Sequence, residues 1–185
     1  MLDPILAREV LRNAELICDE QVVHGALLRM AGEITRRLAD CNPLVLSVMG
    51  GAVVFSGQLL PLLKFPLDFD YLHATRYGDA TTGGGLQWKV YPQTPLRGRV
   101  VLVLDDVLDE GHTMAAIREH LLSQGASQFL CAVFAEKDLG KRKPMAADFV
   151  GVTLPNRYVF GYGMDVKGAW RNLPAIYAIK DGQAL

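Results

Sequence analysis

Three features of the 185-residue chain predict an α/β fold, with a mainly parallel central sheet flanked by helices. Short runs rich in Val, Leu and Phe alternate with longer segments of helical apolar spacing, the order expected when parallel strands are joined through helices. The run Val100 to Leu104 is apolar at every position, as a strand buried on both faces requires. No internal repeat, low-complexity tract or linker interrupts the series, so residues 1–185 are expected to form a single domain around one core.

Asp3-Pro4 has the form of an N-cap followed by proline at the first helical position, and amphipathic helices are predicted over Pro4 to Ile17 and Glu20 to Ala39. A buried strand, Leu44 to Met49, is followed by Gly50-Gly51 and a helix starting near Val53, whose end Pro61 weakens. Pro66 to Ala74 and Leu86 to Tyr91 read as strands. Between them Arg76 to Gly85 is polar, ends in three consecutive glycines and reads as a mobile loop. The strand that begins at Arg99 is expected to end at Asp105. The turn Asp109-Glu110-Gly111-His112-Thr113 then leads into the helix MAAIREHLLSQ, which stops at Gly125, and Phe129 to Glu136 supplies the next strand. In such sheets ligands collect at the carboxyl ends of the strands.

Composition narrows the function. Half of the residues are hydrophobic, yet no apolar run approaches the ~20 residues of a membrane span, so no membrane association is expected. The opening MLDPILAREVLRNAE lacks the basic-then-apolar order of a secretory signal. Cys18, Cys41 and Cys131 are widely spaced without a C-x-x-C pair, which points to free thiols in a reducing, cytoplasmic setting rather than to disulfides or zinc. A net charge of -1 gives no global attraction to nucleic acid, and Lys141-Arg142-Lys143 is too short for a contiguous basic surface. His24, His73 and His120 show no metal-ligand spacing and, like Trp170, read as packing residues.

The chemistry concentrates in VVLVLDDVLDEGHTM, Val100 to Met114. Adjacent carboxylates, Asp105 and Asp106, at the carboxyl end of a buried strand cost several kcal/mol unless a cation, hydroxyl or donor meets them. Downstream, a glycine-containing turn opens a helix whose first N–H groups lack intrahelical partners, and phosphate is their natural ligand. Together these residues resemble the phosphoribosyl-diphosphate (PRPP) signature of the type I phosphoribosyltransferases: a hydrophobic strand, two acidic residues and an Asp-x-Gly-x-Thr loop. From about Leu44 to Ile179 the resemblance is to the purine-salvage branch, the hypoxanthine-guanine phosphoribosyltransferases.

That resemblance implies the type I phosphoribosyltransferase fold, with a mobile lid and a small hood built from the N-terminal and C-terminal segments. It implies that Asp105 and Asp106 face the ribose hydroxyls and that Asp109, Glu110, Gly111, His112 and Thr113 surround the 5-phosphate, with Asp109 also the catalytic general base at purine N7. Met49, Gly50 and Gly51, in a loop that often contains a non-proline cis peptide, would hold diphosphate together with Arg171. Lys137 would donate to the exocyclic oxygen of a 6-oxopurine, Tyr158 would stack on the base, and the Val159 backbone would meet its edge. Asp165 would complete the purine site and, with Asp105 and Asp106, hold Mg2+; Arg76 and Tyr77 belong to the lid. The implied reaction transfers the phosphoribosyl group of PRPP to N9 of hypoxanthine or guanine, giving IMP or GMP and diphosphate. Relatives of this kind imply a homo-oligomer, dimer or tetramer, with no nucleic-acid or membrane partner.

Four positions depart from the family pattern. Gly50 stands where a basic side chain is usual, Arg76-Tyr77 where Ser-Tyr is common, Glu110 where a small hydroxyl residue lies, and His112 where a lysine or small residue lies. A Glu110 carboxylate aimed at phosphate would repel it, so the Glu110 backbone N–H is expected to face the phosphate instead. Two other readings share the signature: a xanthine-preferring transferase, and a non-catalytic regulator that senses PRPP or nucleotides and binds RNA. Asp109, Lys137 and Tyr158 together favour an enzyme, because an RNA binder needs no purine-reading set.

Overall fold

In the computed structural model, which describes residues 2–76 and 86–180, the chain builds a large sheet and a small one. The large sheet contains β2 (Leu44–Val48), β3 (Asp68–Arg76), β4 (Leu86–Val90), β5 (Val100–Leu108), β6 (Gln128–Asp138) and β7 (Phe149–Pro155) in the order β4-β3-β2-β5-β6-β7. Pairings from β3 through β7 are parallel, and only β4 runs antiparallel to its neighbour. The small sheet joins β1 (Glu15–Cys18), β9 (Ile176–Ala178) and β8 (Val159–Phe160), all antiparallel.

Strand alternation explains why the central runs are apolar throughout. Val45, Leu102, Leu104 and Phe134 point to the face covered by α2 (Glu20–Leu38) and α3 (Val53–Leu59), where they meet Met30, Ile34 and Phe55. Leu44, Leu46, Val101, Val103 and Cys131 point to the opposite face and pack beneath Ile117 and Leu121 of α4 (His112–Ser123). Polar residues serve at the helix starts: Asp3 accepts from the Ile5 and Leu6 N–H groups and caps α1 (Pro4–Asn13), and Asp19 accepts from Val22 N–H to cap α2. Pro61 falls in the short 3-10 turn Leu60–Leu62 that ends α3.

Several boundaries differ from the sequence expectation. The first helix stops at Asn13 instead of Ile17, because Glu15–Cys18 leaves the helix and pairs with Ile176–Ala178 near the other end of the chain. β5 does not end at Asp105; it continues to Leu108, held by parallel pairing with β6 as far as Leu108 opposite Glu136. β6 likewise extends to Asp138, so Lys137 lies within the strand and not after it. β7, β8 and β9 are further strands that the sequence patterning does not predict. Tyr77 to Gly85 lies outside the described residues, and with it Tyr77 of the expected lid; Arg76 closes β3. Among the described residues no helix is long and apolar enough to cross a membrane, and Cys18, Cys41 and Cys131 are free thiols.

Candidate active site

Three chain segments converge at the carboxyl end of the large sheet because glycines let them touch. After β2, Met49, Gly50 and Gly51 turn back, and the Met49–Gly50 peptide is cis. A Cβ at Gly51 would fall on the Asp106 carboxylate, and a Cβ at Gly163 would fall on the Gly51 carbonyl oxygen. Glycine at these points permits an approach that no side chain would allow.

Asp105 and Asp106 occupy the last part of β5, with Asp106 N–H donating to Asp105 Oδ1 at 3.0 Å and Val107 N–H donating to Asp106 Oδ1 at 2.9 Å. Burial, and then the neighbouring Asp106 charge, push the Asp105 carboxyl well above the usual carboxylate range. Burial also raises Asp106, opposed by its hydrogen bond with Asp105 and by the Arg171 guanidinium, which lies 4.0 Å away. Arg171 is itself held by Asp165 at 2.5 Å and donates to the Gly163 carbonyl at 2.7 Å.

Beyond Leu108 the chain turns through Asp109, Glu110 and Gly111 into α4. Gly111 adopts φ +82°, a left-handed conformation that suits glycine, and no side chain caps the helix. The first N–H groups of α4 therefore open onto a cavity of about 780 Å³, walled by this loop, the Met49–Gly51 turn, Asp105, Asp106 and Arg171. The Glu110 carboxylate lies 3.4 Å from the Lys141 ammonium on the rim of the same cavity.

A second, smaller cavity of about 220 Å³ adjoins the first through Asp106, Val107 and Asp109. Lys137, Tyr158, Val159 and Asp165 complete its walls. Here Lys137 Nζ donates to Asp109 Oδ2 at 2.6 Å, with the lysine side chain 14% exposed. Tyr158 presents an exposed ring, and its hydroxyl reaches the Asp165 carbonyl at 3.4 Å.

Every site residue expected from the sequence and lying within the described positions is thus gathered at this end of the sheet, apart from Arg76, whose side chain is not described. His73, expected to be a packing residue, instead lines the larger cavity with Thr75, Lys141 and Asn156. Its place near the carboxyl end of a parallel strand was the available signal. His120 does pack, with its ring 4.4 Å from Trp88, and Trp170 Nε1 donates to the Ala7 carbonyl at 2.7 Å. The described residues contain no group of three or more side chains suited to hold a metal. Asp165, which receives Arg171 and, at 2.6 Å, Gly168 N–H, faces the smaller cavity, while Asp105 and Asp106 present a two-carboxylate face to the larger one. Such a face suits Mg2+, which keeps several waters and takes its remaining ligands from substrate phosphates.

The sequence pattern of the phosphoribosyl transferase domain matches residues 20–167, and the chain belongs to that family. Within it, the chain is 31% identical over 167 residues to the hypoxanthine-guanine-xanthine phosphoribosyltransferase of Tritrichomonas foetus, a match spanning 90% of this chain and 91% of that protein. It is 28% identical over 168 residues to the hypoxanthine-guanine phosphoribosyltransferase of Bacillus subtilis (strain 168), over 90% and 93% of the two chains. A solved hypoxanthine-guanine-xanthine phosphoribosyltransferase superposes with a TM-score of 0.82 at 30% identity, over 90% of this chain and 97% of that one.

Proposed function

We propose that this protein is a purine-salvage enzyme that transfers the 5-phosphoribosyl group of PRPP to N9 of hypoxanthine or guanine, releasing diphosphate. The observation that carries the reading is the pair of adjoining cavities with Asp106, Val107 and Asp109 as their shared wall. One cavity offers helix N–H groups and carboxylates to a sugar phosphate; the other offers a cation, a carboxylate and an aromatic ring to a flat base. The names of the relatives point to the same substrates. The free thiols suit a reducing compartment.

In this reading the 5-phosphate rests on the backbone N–H groups from Glu110 to Thr113, and the Asp105 and Asp106 carboxylates accept from the ribose hydroxyls. Gly51 and Arg171 bind the diphosphate, with Arg171 drawn from Asp165 toward the stronger anion. Asp105 and Asp106 would hold Mg2+, which when bound neutralises the leaving diphosphate. As the bond from the anomeric carbon to diphosphate loosens, the sugar gains positive charge and the nearby carboxylates favour it.

The base enters beside the Lys137–Asp109 pair. N7 and the exocyclic oxygen of a 6-oxopurine are neighbours on one edge, so an adjacent acceptor and donor can meet both at once. Asp109 takes the N7 proton as N9 attacks, and Lys137 donates to the oxygen. Adenine presents an amino group to Lys137, leaving a donor facing a donor, which is the source of base selectivity.

The test is product formation from PRPP and Mg2+ with hypoxanthine, guanine, xanthine and adenine in parallel. IMP or GMP together with released diphosphate is expected, with adenine inert. PRPP binding without turnover of any 6-oxopurine would replace the enzyme with a PRPP-sensing protein. Turnover of xanthine alone would move the substrate, not the chemistry.

A further inference from the structure

Within the basic run Lys141-Arg142-Lys143 the side chains have different fates. Lys141 is 64% exposed, whereas the Lys143 side chain is only 8% exposed. The Lys143 ammonium donates to the Leu108 carbonyl at 3.0 Å, the Lys137 carbonyl at 2.6 Å and Glu136 Oε1 at 3.0 Å. An ammonium has three N–H donors, and here three acceptors surround it.

The two carbonyls are informative. Leu108 directly precedes Asp109, and Lys137 is the residue whose side chain meets Asp109 at 2.6 Å. The parallel register of β5 and β6 runs to Leu108 opposite Glu136, so their ladder has ended where Asp109 and Lys137 must be held together. Lys143 takes over at that point, bonding one carbonyl from each strand.

We propose that Lys143 is a positioning residue for the purine site: it fixes the spacing of the acceptor and donor that read the base edge, without touching the base. The inference rests on the reading of Asp109 and Lys137 as the purine-contacting pair. A displacement of one ångström at such a pair is enough to slow a reaction markedly.

The experiment is steady-state kinetics of the full chain with hypoxanthine and PRPP, well below each variant's Tm, for the wild type, Lys143→Met, Lys143→Arg and Arg29→Met. Arg29 supplies a structural control: its guanidinium donates to the Val150 and Gly151 carbonyls of β7, neither of which lines either cavity. Lys143→Met is expected to raise KM for hypoxanthine and lower kcat, reducing kcat/KM by about 10- to 100-fold, with KM for PRPP changed far less. Lys143→Arg, which keeps charge and several donors, is expected to recover most of the loss. Arg29→Met should lower Tm and leave both KM values unchanged.

Should Lys143→Met fail to fold because Glu136 is left without its cation, the double variant Lys143→Met/Glu136→Met removes the unpaired charge and carries the same kinetic expectation. An unchanged KM and kcat for hypoxanthine in a folded variant lacking the Lys143 ammonium would overturn the proposal. So would equal losses toward hypoxanthine and PRPP that Lys143→Arg does not relieve. A wild type that turns over no 6-oxopurine would overturn the transferase reading first, and this inference with it.

Discussion

The two cavities that share Asp106 and Asp109 handle charge in opposite ways. On the base side, Asp109 meets Lys137 at 2.6 Å and Glu136 meets Lys143 at 3.0 Å, so each carboxylate has a cation. On the sugar side, Asp105 and Asp106 lie against each other in the interior, and the nearest guanidinium is 4.0 Å from Asp106 and already engaged by Asp165. Burial raises both carboxyls, and the Asp106 charge raises Asp105 further, while the hydrogen bond with Asp105 and the Arg171 guanidinium partly offset the rise at Asp106. One region is organised before its ligand arrives; the other is organised at a cost that its ligand relieves. A purine is a weak, flat ligand that gains from a preset edge, whereas PRPP carries hydroxyls, phosphates and a metal that can answer a buried acid pair.

Among variants that leave the proposed general base in place, the largest expected effect comes from breaking the wall between the regions. Gly51→Ala places a methyl on the Asp106 carboxylate, and displacing that group by about an ångström should reduce kcat/KM for PRPP by about 100-fold, read by initial rates at saturating hypoxanthine. Normal kinetics in this variant would show that the glycine turn and the acid pair need not touch.

Breaking the base side should cost less overall but fall on selectivity. Lys137→Met removes a charge-assisted hydrogen bond worth about 1.5–3 kcal/mol, a loss of roughly 10- to 150-fold with hypoxanthine, while PRPP binding measured by calorimetry stays within a few fold. Because Asp109 also loses its partner, discrimination against adenine should weaken at the same time. Retained selectivity would separate Lys137 from base reading.

The smallest effect sharpens the contrast by reversing its sign. Folded carboxyls raised above their unfolded value bind protons more readily than the unfolded chain, so stability falls as pH rises from the ordinary carboxylate range through the raised values. Asp105→Asn removes one of the two charges. It should raise Tm at pH 8, by about 2–4 °C for each kcal/mol recovered, show little gain near pH 4, and bind PRPP more weakly. A lower Tm at pH 8 would mean that the pair stabilises the fold even without a ligand.

The signature from Val100 to Thr113 was legible because it is local: a strand buried on both faces, two acids, a glycine and a helix start are all written in consecutive residues. Its exact extent was not, since β5 runs on to Leu108 through pairing with β6, a partner more than twenty residues away. The small sheet escaped for the same reason. Glu15–Cys18 continues a helical apolar spacing and becomes a strand only because Ile176–Ala178 arrives beside it, tied further by Arg157 to Glu15 at 2.7 Å. Lys143 was hidden by its exposed neighbour Lys141, because nothing in a run of basic residues tells which ammonium turns inward. His73 was legible in principle, as a polar residue near the carboxyl end of a strand parallel to β2.

The most direct test of the transferase reading is the rate of diphosphate release from PRPP and Mg2+ with hypoxanthine, for the wild type and for Asp109→Asn. Asparagine keeps the shape and a hydrogen bond at that position but cannot accept the N7 proton, so kcat should fall by about 10²- to 10⁴-fold while PRPP still binds. Absent wild-type turnover would contradict the transferase reading, and wild-type turnover that Asp109→Asn leaves intact would contradict the assignment of Asp109 as the base that receives the purine proton.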